Sequence, residues 1–355
     1  MRPLLLILLV LASTGRAAET MRIAIGPETA AVAISGAGLR QGPDLDEAQL
    51  APSAALAVKV TRTQGVLQVH GARVEGLAIR FRAQGALTVN GVRVEGDVVV
   101  LPGRTGLQAV NVLPLEAYLE GVLGGEMPPS FPAEALKAQA VAARTYALSR
   151  KLEQYDQPFH LGSSVLSQVY QGLAAVDPRT QAAVRATRGQ VLTWMLQPIE
   201  AYFHASCGGR TESGLDALGR DLPYLQSVDC PCGHLPQTSW SLTLSQGDLS
   251  ALGAARGAAL KVQGRSPTGR ARSVALGPRT VDAVWFRERL GYGRLKSLTF
   301  DVTRGRQGWR LDGHGSGHGA GLCQWGARVY AEKGWDYLRI LAHYYPRTEL
   351  QTLYE

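Results

Sequence analysis

Beyond its opening residues the sequence has no apolar stretch long enough to cross a bilayer, so no membrane-spanning helix is expected there. It has no run of lysines or arginines interleaved with aromatic residues, which argues against nucleic acid as a partner. No strand–helix–strand rhythm repeats along it, so a parallel doubly wound sheet is excluded. Cysteine is scarce: Cys207, Cys230, Cys232 and Cys323 are the whole complement, an even count that permits disulfides in an exported chain.

What is present begins with MRPLLLILLVLASTGRAAET. Arg2 supplies a positive start, Leu4 to Ala12 an apolar run, and Gly15-Arg16-Ala17 a small-x-small cleavage site. Residues 1–17 therefore read as a cleaved secretory signal. The expected mature protein is soluble, without a transmembrane anchor, and secreted to the periplasm or cell wall. The formal charge of +8 drops by two when Arg2 and Arg16 leave, and the remaining excess favours an anionic partner such as a polyanionic cell envelope. A length of 355 residues allows one to three domains.

Residues 18–105 alternate apolar and polar positions between glycine-bearing turns and read as short strands: MRIAI, AALAVKV, VLQVHG, LAIRFR, ALTVNG and VRVEGDVVVL. GARVEG and GVRVEG echo one another, as recurring hairpins would. Residues 106–355 have a different texture. PLEAYLEGVL predicts a helix that Gly124 and Gly125 end, and AEALKAQAVAARTYALSRKLEQ predicts a second with a narrow face of Leu136, Ala140, Ala143 and Ala147. Asp177-Pro178 opens a third. VDAVWFRERLG, CQWGARVYAEKG and DYLRILAHYY read as further helices, QVLTW and EAYFHAS as strands, and residues 240–280 give a mixed signal. The fold class is α+β: a β-rich N-terminal region, then mixed helices and antiparallel strands enclosing a substrate cleft.

Three constellations carry chemistry. In GGEMPPSFP, glycines and prolines bend and stiffen the chain around one acid, Glu126, expected to stand off any helix. A general acid needs such positioning, together with partial burial that lifts its pKa. A loop glutamate pairing with an arginine or capping the next helix fits these residues equally well. In GHGSGHGAGLCQWGA, the glycine density makes a helix unlikely, so the i,i+4 spacing of His314 and His318 is weak support for a metal site. The loop instead offers backbone amides and imidazoles to something approaching closely. In YFHASCGGRTES and VDCPCGH, Cys207, Cys230 and Cys232 with His204 or His234 could hold structural zinc. The single residue between Cys230 and Cys232 is tight for a zinc finger, and a disulfide from Cys207 to either is slightly preferred. A Cys-His hydrolase built on Cys207 lacks a partner legible in the sequence.

VLPLEAYLEGVLGGEMP followed by ALKAQAVAARTYAL, then SQVYQG, HASCGGRT, LPYLQSV and GHGAGLCQWGA in that order, resembles the SpoIID/LytB domain of bacterial cell-wall proteins over roughly residues 110–350. The resemblance implies a peptidoglycan lytic transglycosylase that needs no cofactor, acts on glycan strands, and uses Glu126 as catalytic acid and then base. It also implies that Ser130, Lys137, Gln139, Arg144, Gln168, Tyr170, Ser206, His318 and Gln324 line the cleft. The alternative it implies is a non-catalytic glycan-binding protein that enhances a cell-wall amidase. Some relatives bind zinc just before the QVY motif; HLGSSVLSQVY lacks the cysteine for that site. Cys323 stands where a serine is common and reads as a small buried residue. No motif marks a sporulation role.

Overall fold

The alternation along residues 20–114 folds into two sheets whose apolar faces meet in one core. The computed structural model describes residues 19–44, 50–162, 168, 170–306 and 308–354; the expected signal over 1–17 lies outside them, as do Ser167 and Val169 of the SQVYQG segment. One sheet has seven strands in the order Leu161–Gly162, Thr20–Thr29, Leu107–Pro114, Asp97–Pro102, Ile79–Arg82, Arg40–Pro43 and Ala51–Pro52. Its first pair is parallel and the rest antiparallel. The other sheet has six, in the order Val92–Val94, Leu87–Val89, Ala31–Ser35, Ala57–Thr63, Val66–Val69 and Ala72–Arg73. Ile23, Val98 and Val100 from the first and Val32, Ile34 and Val60 from the second belong to one buried cluster. The echoed GARVEG and GVRVEG are the second arms of two like hairpins. His70-Gly71 turns Val69 onto Ala72 and Asn90-Gly91 turns Val89 onto Val92, with positive φ at all four central residues, as a two-residue type I′ loop requires.

Among the described residues eight α-helices follow: α1 Leu115–Glu126, α2 Ala133–Glu153, α3 Pro178–Ala186, α4 Gly214–Leu218, α5 Gln246–Ala251, α6 Ala283–Leu290, α7 Gln324–Glu332 and α8 Tyr337–Tyr344. The Asp177 cap is as expected, its carboxylate accepting the Arg179 amide at 2.8 Å with Pro178 in the first turn. The end of α1 is not. The helix runs through both glycines, and Glu126 is its last residue rather than a residue held off it. Gly124 serves a tertiary contact instead: a Cβ there would come within 2.1 Å of the Ala175 carbonyl, so the missing side chain lets α1 lie against the turn Gly172–Ala175.

The small-residue stripe of α2 behaves as expected. Leu136, Ala140, Ala143 and Ala147 are all buried, and α2 packs against α1, α3, α7 and α8. Within that interior lies Arg144, 0% exposed. Its guanidinium forks onto Glu116 of α1, with Nε and Nη2 at 2.9 and 2.8 Å from the two carboxylate oxygens. It also donates to the Val184 and Gln190 carbonyls. Glu116 in turn accepts the Tyr354 hydroxyl at 2.7 Å. One ion pair thus joins α1, α2, α3 and the chain end.

A second core is separate. Trp240, Leu244, Leu260, Val274, Phe286, Phe300 and Leu311 form it between two three-stranded sheets and helices α5 and α6. This is the stretch that opens on the mixed sequence signal.

Burial works against the Glu116 charge, but the hydrogen bonds and charge of Arg144 outweigh it and hold the carboxyl below its ordinary pKa. A depressed folded value means the stability it supplies is present above the unfolded glutamate pKa, about 4.3, and is lost as pH falls through the folded value. Glu116→Gln would leave Arg144 buried and unpaired at a cost of about 3–5 kcal/mol. Urea denaturation of wild type and variant at neutral pH and at successively lower pH should show that gap, narrowing only in acid.

Candidate functional site

Glu126 sits where a helix, a buried anchor and two prolines meet. Met127 after it is extended, at φ −136° and ψ 132°, as the residue before Pro128 must be, and is 0% exposed. The half-buried Glu126 carboxylate lies at the carboxyl end of α1, where the helix macrodipole opposes negative charge. Two buried phenols feel that carboxylate. Burial lifts the Tyr118 hydroxyl well above its ordinary pKa, and Glu126 adds to the effect. Tyr146 is likewise raised, chiefly by burial, with Glu126 among the acids contributing.

Tyr146 links this corner to the rest of the motif set. Its ring meets Tyr202 at 5.5 Å and Phe203 at 6.3 Å, and Tyr202 meets His318 at 5.8 Å, edge to face. The glycine-dense loop carrying His318 is closely approached, but by the protein's own strand. A Cβ at Gly317 would come within 2.5 Å of the His204 Cβ, and one at Gly321 within 2.0 Å of the Tyr202 carbonyl; both glycines have positive φ. The Ser206 and Ser316 backbones exchange hydrogen bonds at 3.0 and 2.7 Å. His314 is not on a helix: it ends the strand Gly308–His314 and pairs with the Ser239 hydroxyl.

His318 spends both ring nitrogens on the backbone. Nδ1 accepts the Ala320 amide at 3.1 Å, so Nε2 carries the proton and donates to the Phe203 carbonyl at 2.9 Å. Neighbouring His204 donates Nδ1–H to the Ala320 carbonyl at 3.0 Å, while its buried Nε2 has no partner.

The other residues named from the sequence divide into two sets. Ser130 is exposed in the turn after Glu126. Lys137 is half-buried, paired with Glu134 at 2.7 Å and lying over the Tyr337 ring. Ser206 and Gln324 are buried beside the His318 loop, Gln324 opening α7. Arg144, Gln168 and Tyr170 are buried framework, although the Tyr170 edge also lines a small pocket with Ala117, Glu120 and Gly121. Gln168 accepts the Tyr118 hydroxyl at 2.6 Å and donates to the Ala143 carbonyl. Tyr170 donates to Asn111 at 2.6 Å. Gln139 is also 0% exposed, and neither end of its amide has a hydrogen-bond partner, an uncompensated desolvation cost.

Three residues not singled out by the sequence matter here. Glu212, 1% exposed, accepts the Ser266 hydroxyl at 2.5 Å and stands 3.6 Å from Arg270, whose guanidinium donates to the Cys207 carbonyl. Arg287 donates to the Leu295, Lys296 and Gly317 carbonyls and so clamps the His318 loop. Glu212 lies inside the quoted YFHASCGGRTES, a usable signal. Arg270 and Arg287 had none.

No disulfide joins the described cysteines. Cys207, Cys230, Cys232 and Cys323 are all buried, with their sulfurs within 4.8 Å of one another. Among the described residues, this is the one set of histidine, cysteine and carboxylate side chains gathered closely enough to share an ion. The fourth member is Cys323, in place of the His204 or His234 considered from sequence. Within this cluster hydrogen bonds from Cys207, Cys230 and Cys323 hold the Cys232 thiol below its ordinary pKa, while Cys207 and Cys323 are pushed above theirs, Cys207 chiefly by its hydrogen bonds to Cys230 and Cys232 and Cys323 chiefly by burial.

A family model described as Stage II sporulation protein, SpoIID, matches residues 103–194, the segment holding α1, Glu126 and α2. Stage II sporulation protein D of Bacillus subtilis is 32% identical over 267 residues, covering 70% of this chain and 77% of that protein. An uncharacterized protein of Brachyspira hyodysenteriae is 34% identical over 255 residues, covering 70% of this chain and 69% of its own. The amidase enhancer of Bacillus subtilis is 29% identical over 290 residues, covering 65% of this chain and 40% of that protein. The chain belongs to the SpoIID family. Among the described residues no helix is long and apolar enough to cross a membrane.

Burial pulls the His318 pKa from the ordinary 6.5 down to about 4. Between those values the unfolded chain binds the proton and the folded chain does not. Stability from this group is therefore full above pH 6.5 and falls away toward pH 4. Nitrogen-15 NMR of histidine-labelled protein should show His318 as the neutral Nε2–H tautomer until about pH 4; a midpoint near 6.5 would contradict the geometry.

Proposed function

We propose that the chain is an exported lytic transglycosylase of peptidoglycan, with Glu126 as its single acid and base. The observation that carries this is the placement of Glu126: half-buried, at the negative end of α1, fixed by the buried Met127 and the prolines behind it. Support also comes from family membership, since the motif holding Glu126 lies inside the matched segment.

The chemistry needs no second carboxylate. A hydrolytic glycosidase uses two, because a water or a protein nucleophile must be managed as well. Here Glu126 gives its proton to the glycosidic oxygen leaving N-acetylmuramic acid C1, and the C1–O bond breaks with its electron pair on that oxygen. The same sugar's C6 hydroxyl oxygen then bonds to C1 and its proton passes to the Glu126 carboxylate. The acid is regenerated, no water is consumed, and the product ends in a 1,6-anhydro ring. Ser130, exposed four residues on, and the half-buried Lys137 of α2 are polar groups following Glu126 that can hold the strand.

Purified glycan strands, with and without stem peptides, should yield anhydromuramyl ends by mass spectrometry. Glu126→Gln should cut about 10²- to 10⁴-fold more slowly, the usual worth of a general acid. Equal cutting by the variant would sink the mechanism.

A second reading is favoured by one relative's name, amidase enhancer: a glycan-binding protein that stimulates a cell-wall amidase. It expects strand binding without cleavage, and stimulation of an added amidase that survives Glu126→Gln.

A further inference from the structure

We propose that Cys207, Cys230, Cys232 and Cys323 bind one zinc ion as a tetrathiolate centre. This centre would pin the loop carrying Ser206 to the start of α7 carrying Gln324. The proposal is independent of the transglycosylase mechanism, because none of the four thiols acts in it.

The size of the cluster fits. A zinc–sulfur bond is about 2.3 Å, so a tetrahedral set of ligands places its sulfurs about 3.8 Å apart. Here all four lie within 4.8 Å of one another and Cys207 and Cys232 are 3.4 Å apart. The ligands converge on one point from three segments: the turn after Phe203–His204, the stretch Cys230 to Cys232, and the amino end of α7. Two disulfides would need two separated pairs, whereas here every sulfur neighbours the other three.

Polar hydrogens surround the sulfurs. Cys323 Sγ accepts the Cys207 amide at 3.4 Å and the Gly326 amide at 3.3 Å. The Tyr344 hydroxyl is 3.2 Å from Cys230 Sγ, and the Ser206 hydroxyl is 3.8 Å from Cys232 Sγ. Donors aimed at sulfur are what offset the excess negative charge of four thiolates on a divalent ion. Cys323 also caps α7, which fixes its sulfur toward the other three. Arg270 brings a guanidinium to the rim through the Cys207 carbonyl at 2.9 Å. Gly326 leaves room: a Cβ there would come within 2.3 Å of Cys230 Sγ.

The single-residue spacing of Cys230 and Cys232 ceases to be an obstacle in this geometry. Cys230 precedes a tight turn over Pro231–His234 and Cys232 lies within it, so both side chains reach the same centre.

The test uses the full chain, purified without chelator. Elemental analysis should find close to one zinc per chain, and a mercurial thiol reagent should release it to a metallochromic dye. Alkylation in denaturant with chelator but no reductant should label all four cysteines by intact mass. Cys323→Ser should bind added zinc at least about 10-fold more weakly while circular dichroism shows it folded. Should that variant fail to fold, the wild-type metal content and thiol count still decide. Folded wild type without zinc, iron in its place, any disulfide among the four, or unchanged zinc affinity in folded Cys323→Ser would each overturn the proposal.

Discussion

The buried fork between Arg144 and Glu116 is the constraint on which the placement of the site rests. An enclosed guanidinium is tolerated only when its donors are met, and Arg144 meets them on α1, on α3 and at the start of the strand Gln190–Trp194. The same Glu116 holds Tyr354, so the last described turn of chain closes over the pair. With α1 fixed at Glu116 near its start and seated through Gly124 on the Ala175 carbonyl near its end, the direction in which Glu126 leaves the helix is set.

Around that acid the protein meets most of its own polar demand. His318 gives both nitrogens to the backbone, and Gln168 serves Tyr118 and Ala143. Polar residues that look catalytic in the sequence thus hold loops and helices against one another. Of the residues that the resemblance puts in the cleft, Ser130 in the α1–α2 turn, Lys137 on α2 and His318 in its loop keep accessible surface.

Much of this was readable from the sequence. Period-two alternation gave the paired sheets, and the VHGA and VNGV turns gave two like hairpins. The stripe from Leu136 to Ala147 gave the buried face of α2. What escaped were effects made by distant residues. Gly124 looked like a helix stop because its reason for being glycine, the Ala175 carbonyl, lies in another segment. Arg144, which the resemblance puts in the cleft, is instead buried on Glu116, a partner 28 positions earlier that no local pattern points to. Cys323 looked like filler because it stands 116 residues from Cys207. The second core was invisible because the strands of residues 240–280 face a layer that includes the later strand Thr299–Gly305 and α6.

That second core leaves and rejoins the main body at one doorway. Ser239 and His314 are register partners across adjacent strands, so the whole excursion between them starts and finishes at neighbouring points. The entropic cost of closing such a detour grows only slowly with its length, by about 0.6 kcal/mol per doubling. Several side chains reach back from it: Arg270 to the Cys207 carbonyl, Arg287 to the Gly317 carbonyl, Arg272 to the Asp216 carboxylate, and the Ser266 and Thr268 hydroxyls to Glu212. The excursion is therefore a module whose core is its own but whose seating depends on these tethers. A change at the doorway or at a tether is felt in the loops they grip, whereas a change inside the second core is felt first within the module.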